Sequence, residues 1–121
     1  MLNGRPVLIV EAEFLIALDI QRMLELFGVG QTLFARNADE ARQLQSHWPD
    51  LALAIVEQRS ADDKPGQLPS ELAYASIPVV LTTGDVNLRG RETGSMLPVV
   101  MKPISEDSLA SAVRLALARS F

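Results

Sequence analysis

Short apolar runs alternate with stretches of helical periodicity along the whole chain. A continuous apolar run is typical of a strand buried on both faces of a parallel sheet, whereas apolar residues spaced three and four apart indicate an amphipathic helix. Such alternation predicts an α/β protein of the flavodoxin-like (βα)5 type, with a doubly wound, five-stranded parallel sheet in the order 2-1-3-4-5. The predicted strands cover residues 6–10, 31–35, 51–56, 78–81 and 97–101, and the second is the weakest.

The first helix is predicted to follow the first strand and to end at Gly28, a suitable residue just past a helix C-terminus. Asn37 can cap the second helix, with Glu40 three residues later as its capping-box partner. A short helix is predicted at 68–75. A helix at 85–95 would be weak, because two glycines interrupt it. The apolar face of the first helix is expected to comprise Phe14, Leu15, Leu18, Met23, Leu26 and Phe27.

The last predicted helix begins after Ser105, whose hydroxyl can cap it, and acidic residues follow in its first turn. His47 and Trp48 lie at the predicted end of the second helix. A capping or packing role is expected for His47, and Trp48 is expected to be a partly buried anchor. The buried stripe of the last helix is expected to contain Leu109, Val113, Ala116 and Leu117.

Size and composition narrow the class of protein. The 121 residues suffice for one domain, so residues 1–121 are expected to form a single domain without an output domain. A net charge of −4 offers no basic surface for nucleic acid, and no apolar run is long enough to insert into a membrane. The absence of cysteine excludes disulfides and thiolate metal sites, and it fits a cytoplasmic protein.

Polar side chains follow four of the predicted strands. Glu11 and Glu13 come after the first strand, Glu57 ends the third, Thr83 ends the fourth and Lys102 ends the fifth. In doubly wound sheets, sites lie at the carboxyl ends of the strands, so these groups are expected to converge. Carboxylates, a hydroxyl and an ammonium group could hold a divalent cation together with an anionic group, as phosphoryl transfer requires.

Three segments give this pattern a family resemblance. Residues 7–18 read VLIVEAEFLIAL, residues 77–84 read IPVVLTTG, and Lys102-Pro103 follows at the expected distance. In their order and spacing they resemble the receiver domains of two-component response regulators, the CheY-like superfamily, over nearly the whole chain. The resemblance implies a signalling domain, not an enzyme. In that family a histidine kinase passes a phosphoryl group to an aspartate that ends the third strand, beside Mg²⁺.

The resemblance assigns a role to each matching position. Glu11 matches the first acidic residue, and Ala12 falls where the metal-binding aspartate is usual, so that metal position is degenerate. Thr83 matches the hydroxyl that turns toward the phosphoryl group, and Lys102 matches the ammonium that pairs with it. The peptide bond after Lys102 is cis in the family. Val99 stands where the family usually has a tyrosine or phenylalanine, which puts the coupling of that residue to the hydroxyl in doubt.

Two alignments are open for the phosphoacceptor position. Matching Pro49 and Asp50 to the usual Pro-Asp pair places Ile55 there, whereas allowing extra residues places Glu57 there. Glu57 is preferred, because the first polar residue after a buried run marks the end of a strand. Neither alignment supplies an aspartate.

These departures predict a weakened switch. Without a carboxylate at Ala12, Mg²⁺ would bind weakly if at all, through Glu11 and Glu57. A glutamate at the acceptor position resembles the phosphorylated state, and Arg59 could neutralise Glu11 or Glu57 in place of the cation. For Glu13, a favourable charge at a helix start is the expected role.

The predicted function is therefore a stand-alone, phosphorylation-independent protein-binding module, a pseudo-receiver, in phosphorelay signalling. A weakly active phosphoacceptor that uses Mg²⁺ and a histidine-kinase donor is the alternative. A small-ligand-binding flavodoxin-like domain is a weaker one, because no glycine-rich phosphate loop follows the first strand. The expected partner is a histidine kinase or another signalling protein, contacted through the last helix, the fifth strand and residues 85–95. A homodimer is left open.

Overall fold

Five parallel strands form one sheet in the order β2-β1-β3-β4-β5, as predicted from the alternation of apolar runs and helices. The computed structural model describes residues 1–58, 67–85 and 97–119. The third and fourth strands extend to Glu57 and Thr83, so both residues are the last of their strands. The strands are β1 (Val7–Val10), β2 (Thr32–Ala35), β3 (Leu53–Glu57), β4 (Val79–Thr83) and β5 (Val99–Met101).

Helices cover both faces of this sheet. The predicted weak helix at 85–95 lies almost entirely outside the described residues, and so do Arg59 and the rest of 59–66. Within the described residues, every helix falls short of the length and apolarity that crossing a bilayer requires. The helices are α1 (Phe14–Leu26), α2 (Ala38–Gln43), a 3-10 helix (Gln45–Asp50), α3 (Leu68–Tyr74) and α4 (Glu106–Ala118).

Two apolar clusters, one on each face of the sheet, form the core. Side chains alternate between the faces of a strand, so a strand covered on both sides must be apolar at every position. The strand residues Ile9, Ile55 and Val80 join α1 and α4 in one cluster. Their neighbours in sequence, such as Leu8 and Leu81, join α2 and α3 in the other. The central strands are thereby held firmly, and their carboxyl ends meet at one edge.

The buried face of α1 differs from the predicted one. Its buried residues are Ala17, Ile20 and Leu24, and Phe27 follows as a buried C-terminal residue. The expected stripe is wrong at three positions that are exposed to solvent. The error arose because α1 carries apolar residues on two sides, so periodicity alone does not tell which side faces the sheet. The exposed three are Phe14, Leu15 and Leu26.

Helix ends follow the predicted signals with one difference. The Asn37 side chain accepts a hydrogen bond from the Glu40 amide, and Gly28 follows α1 with φ of 86°. Glu40, however, accepts from the Arg36 amide and not from that of Asn37. Trp48 is buried, and its indole N–H donates to the Ala41 carbonyl at 3.1 Å, which satisfies its polar edge.

The last helix is the one predicted. Ser105 caps it by accepting a hydrogen bond from the Ser108 amide at 3.1 Å. The expected stripe is confirmed at its three fully buried members, and Leu117 packs against the same cluster while remaining partly accessible. The buried residues of α4 are Leu109, Ala110, Ala112, Val113 and Ala116.

Candidate functional site

An ammonium group lies between two carboxylates at the carboxyl edge of the sheet. Lys102 Nζ is 2.6 Å from Glu57 Oε2 and 2.8 Å from Glu11 Oε1. The Glu11 side chain is 1% exposed, that of Glu57 is 13% exposed and that of Lys102 is 18% exposed. Such closely paired, largely dehydrated charges interact strongly, because little water screens them. The three residues therefore act as one electrostatic unit.

The sheet brings these residues together from three strands. Glu11 extends β1, and its amide donates to the Ala35 carbonyl at 2.9 Å. Glu57 pairs in register with Thr82 of the neighbouring strand. The Lys102 amide donates to the Thr83 carbonyl at 2.7 Å and so continues the β4–β5 ladder. Because parallel strands end at one edge, residues distant in sequence converge there.

A backbone amide donates a hydrogen bond to one oxygen of each carboxylate. The Ala12 amide donates to Glu57 Oε1 at 3.1 Å, and the Glu13 amide donates to Glu11 Oε2 at 3.0 Å. Glu57 is thus held by a backbone amide at one oxygen and by an ammonium at the other. Charge-assisted hydrogen bonds of this kind fix the orientation of a carboxylate.

The two carboxyl groups respond differently to this environment. Burial raises the pKa of Glu11, in spite of the opposing Lys102 ammonium and Glu13 amide. Burial also acts on Glu57, but the hydrogen bonds from Lys102 and Ala12 outweigh it and lower the pKa of this carboxyl group. For Lys102, burial disfavours the charge, yet the hydrogen bonds to Glu11 and Glu57 prevail and raise its pKa. The ion pair between Glu57 and Lys102 therefore persists at neutral pH.

Two adjacent threonines at the end of β4 have opposite hydrogen-bonding states. The Thr83 hydroxyl accepts a hydrogen bond from the Asp85 amide at 3.0 Å. The Thr82 hydroxyl is fully buried and has no hydrogen-bond partner in the part of the chain that the structure describes. Buried hydroxyls usually have partners, so Thr82 is an exception, and no sequence pattern singles it out.

The structure places most of the predicted site residues at this edge. Glu57 ends β3, whereas Ile55, the other candidate for the acceptor position, is fully buried in the core beneath it. Ala12 contributes its amide and no side-chain oxygen. Val99 begins β5 and packs partly buried against the core. Glu13 is exposed, and its amide, not its carboxylate, takes part in the site.

Two features of the site lie beyond what strand-end residues indicate. The contribution of the Ala12 amide could not be read from its side chain, since any residue except proline could supply it. The peptide bond between Lys102 and Pro103 is cis, as the family resemblance implied. The suggested pairing of Arg59 concerns a residue outside the described ranges.

A divalent cation fits this arrangement poorly. Mg²⁺ is bound through oxygen ligands in octahedral geometry, and among the described residues Glu11 and Glu57 are the acidic side chains at this edge that could bind it. Ala12 adds none, and the Lys102 ammonium already contacts both carboxylates. No group of three or more acidic or histidine side chains among residues 1–58, 67–85 and 97–119 is arranged to hold a metal ion.

Known proteins with this fold include receiver domains that the chain matches along nearly its whole length. The signal receiver domain of an HD domain-containing protein from Pseudomonas fluorescens superposes with a TM-score of 0.72 at 25% identity, covering 96% of both chains. A response regulator receiver domain from Clostridium thermocellum gives a TM-score of 0.75 at 19% identity, covering 95% of both. This chain has the fold of the CheY-like receiver domains.

Sequence comparison adds a longer relative. The chain is 36% identical over 121 residues to the transcriptional regulatory protein PdtaR of Mycobacterium tuberculosis. The match takes in 95% of this chain but only 58% of PdtaR, so the chain spans little more than half of that relative. The anti-anti-sigma factor PhyR from Bartonella quintana superposes with a TM-score of 0.73 at 27% identity over 49% of its own chain. No protein-family model matches the sequence.

Proposed function

We propose that this receiver domain is a phosphorylation-independent protein-binding module of two-component signalling, and not an enzyme. The observation that supports this function best is the Lys102 ammonium bound between Glu57 and Glu11. By family resemblance, Lys102 is the group that pairs with an incoming phosphoryl group. In this chain a glutamate carboxylate supplies the anionic oxygen to that ammonium.

The length of the glutamate side chain explains how it can fill this place. Glu57 carries one methylene more than the aspartate that its position resembles, so its carboxylate extends toward Lys102 and the Ala12 amide. Both contacts are made, at 2.6 and 3.1 Å. An anionic oxygen that is permanently part of the chain would hold the site in one state without any signal. We infer that Mg²⁺ binds weakly for the same reason, because Lys102 neutralises the carboxylates that would bind it.

The expected partners are proteins of a two-component pathway, a histidine kinase or another regulator. The names of the related proteins support a regulatory setting, since PdtaR is a transcriptional regulatory protein and PhyR an anti-anti-sigma factor. A residual phosphoacceptor that uses Glu57 with Mg²⁺ remains the second candidate. It is the less favoured one, because the carboxylate is held by Lys102 and Ala12 and would have to leave both to react.

Intact-mass measurement after incubation with Mg²⁺ and acetyl phosphate tests the proposal. The wild type would be compared with Ala12→Asp/Glu57→Asp and with the matched control Ala12→Asn/Glu57→Asn, which has similar shape without the carboxylates. We expect a phosphoryl adduct on the first double variant alone, and peptide mapping should locate it at position 57. An adduct on the wild type would favour the residual phosphoacceptor. An adduct on none of the three would contradict the assignment of Glu57 to the acceptor position.

A further inference from the structure

The outward side of α1 carries an apolar and charged stripe that contacts nothing in the sheet. Leu15 and Leu26 are 79% and 67% exposed, and Asp19 and Arg22 between them are exposed as well. Residues three and four apart share one face of a helix, so these four lie along a single stripe. The buried residues of α1 lie on the other side of the helix. A partner can therefore approach the stripe without displacing the core.

The order of residues in this stripe is self-complementary. The steps from Leu15 to Asp19, Arg22 and Leu26 are four, three and four residues, which reads the same in both directions. When two copies of α1 pack antiparallel about a two-fold axis, Leu15 of one copy faces Leu26 of the other. Asp19 of each copy then faces Arg22 of the other. These pairs are the facing layers of an antiparallel coiled coil. The leucine layers lie at the two ends of the contact, and the layers of opposite charge lie between them.

The charges within this stripe are available for such pairing. Within residues 1–58, 67–85 and 97–119, neither Asp19 nor Arg22 forms an ion pair. A parallel arrangement would place Asp19 against Asp19 and Arg22 against Arg22, and like charges facing each other disfavour association. Charge complementarity thus selects a second copy of this chain, in antiparallel orientation.

Neighbouring aromatic residues enlarge the apolar surface beside the stripe. Phe14 is 64% exposed, and its ring lies edge-on to that of Phe34 in β2, with 6.3 Å between the ring centroids. Aromatic side chains at the margin of a contact add area that is removed from water on association. Even so, two helices of 13 residues bury a small area, so the contact belongs to the weak, transient class.

We propose that this receiver domain forms an antiparallel homodimer through the α1 stripe of Leu15, Asp19, Arg22 and Leu26. The inference is independent of the phosphorylation state of the strand-end site, because none of the four residues takes part in that site. The helix pair would be about 20 Å long. The two ion pairs between Asp19 of one copy and Arg22 of the other supply the specificity, and the leucines supply the apolar contact.

Charge reversal tests the dimer in the full-length chain. Sedimentation equilibrium over a concentration series would be measured for the wild type, Asp19→Arg and Arg22→Asp. Each single reversal places like charges in both central layers, so the dimer should weaken by at least about tenfold. Mixing the two single variants should restore association, because each then offers the opposite charge to the other. The double reversal Asp19→Arg/Arg22→Asp should also associate like the wild type.

Two further variants make the test decisive. Leu15→Ala/Leu26→Ala should weaken the dimer without unfolding the protein, since both leucines are exposed, and circular dichroism would verify the fold. Arg114→Asp makes the same charge change as Arg22→Asp on an exposed position of α4 and should leave association unchanged. A wild type that stays monomeric throughout would overturn the proposal. A dimer that survives both α1 reversals but is lost in Arg114→Asp would overturn it too, and would place the contact on α4.

Discussion

The Lys102 ammonium lies 2.6 Å from Oε2 of Glu57, although 44 residues separate the two in the chain and β4 lies between the strands that carry them to this edge. The same ammonium is 2.8 Å from Glu11, so one cation serves two carboxylates. The unit carries one net negative charge when all three groups are ionised. Burial raises the pKa of Glu11, which shows where this excess charge is least favourable.

Removing the ammonium should destabilise the fold. In Lys102→Met, two neighbouring carboxylates would remain with little access to water and without their shared cation. Breaking a buried ion pair from one side costs several kcal/mol, and we expect a loss of about 3 kcal/mol in the free energy of unfolding at pH 7. Urea unfolding followed by circular dichroism would measure it, with Arg114→Met as the exposed control. A loss no larger than that of the control would mean that water replaces the ammonium.

Stability should depend on pH through Glu11. Because the pKa of Glu11 is raised in the folded state, the folded protein holds this proton more tightly than the unfolded chain does. The stability that this bound proton contributes is fully present below the ordinary glutamate pKa. It is lost as the pH rises through the raised pKa of Glu11 in the folded state. Glu11→Gln stays neutral throughout, so its stability relative to the wild type should increase as the pH rises above the ordinary glutamate pKa, about 4, toward neutrality.

Urea unfolding across that range would measure the effect, with Glu25→Gln as an exposed control that makes the same charge change. A constant difference between wild type and Glu11→Gln at all pH values would contradict the prediction. Glu57 acts in the opposite direction, because its pKa is lowered. The stability that ionised Glu57 contributes is present above the ordinary glutamate pKa. It is lost as the pH falls through the lowered pKa of Glu57 in the folded state, so Glu57 affects stability at acidic pH.

Magnesium affinity should rise when a carboxylate is returned to position 12. Ala12→Asp would add a third oxygen ligand beside Glu11 and Glu57, and it would offset the positive charge of Lys102. We expect Mg²⁺ to bind at least about tenfold more tightly than to the wild type, as measured by isothermal titration calorimetry. Ala73→Asp, an exposed substitution on α3, serves as the control. Equal affinities for the two variants would show that position 12 does not lie at a metal site.

The two threonines of β4 should respond oppositely to the same substitution. Thr82→Val removes a buried hydroxyl that has no partner in the described part of the chain, and it should stabilise the protein by about 1 kcal/mol. Thr83→Val removes the acceptor of the Asp85 amide and should cost about 1 kcal/mol. Chemical unfolding of both variants measures the difference. A loss of stability in Thr82→Val would indicate that its hydroxyl has a partner after all.

Much of the site followed from where the strands end. A polar residue after a continuous apolar run marks the edge of a parallel sheet, and this pattern predicts that Glu11, Glu57, Thr83 and Lys102 lie at one edge. Thr82 was missed because a threonine one residue earlier in the strand differs from Thr83 only in the face it occupies. Its unpaired hydroxyl depends on what surrounds it after folding.

The sequence by itself determined the order of elements, because strand periodicity and helix caps are local constraints, and right-handed crossovers then favoured the strand order 2-1-3-4-5 among few topologies. Tertiary structure alone decided two further features. One is the pairing of Lys102, because the distances from its ammonium group to the different carboxylates are set only when the strands are packed side by side. The other is the outward side of α1, because Leu15 and Leu26 satisfy a helical apolar pattern as well as Ile20 and Leu24 do. Only packing against the sheet selects which of those two apolar sides becomes the core.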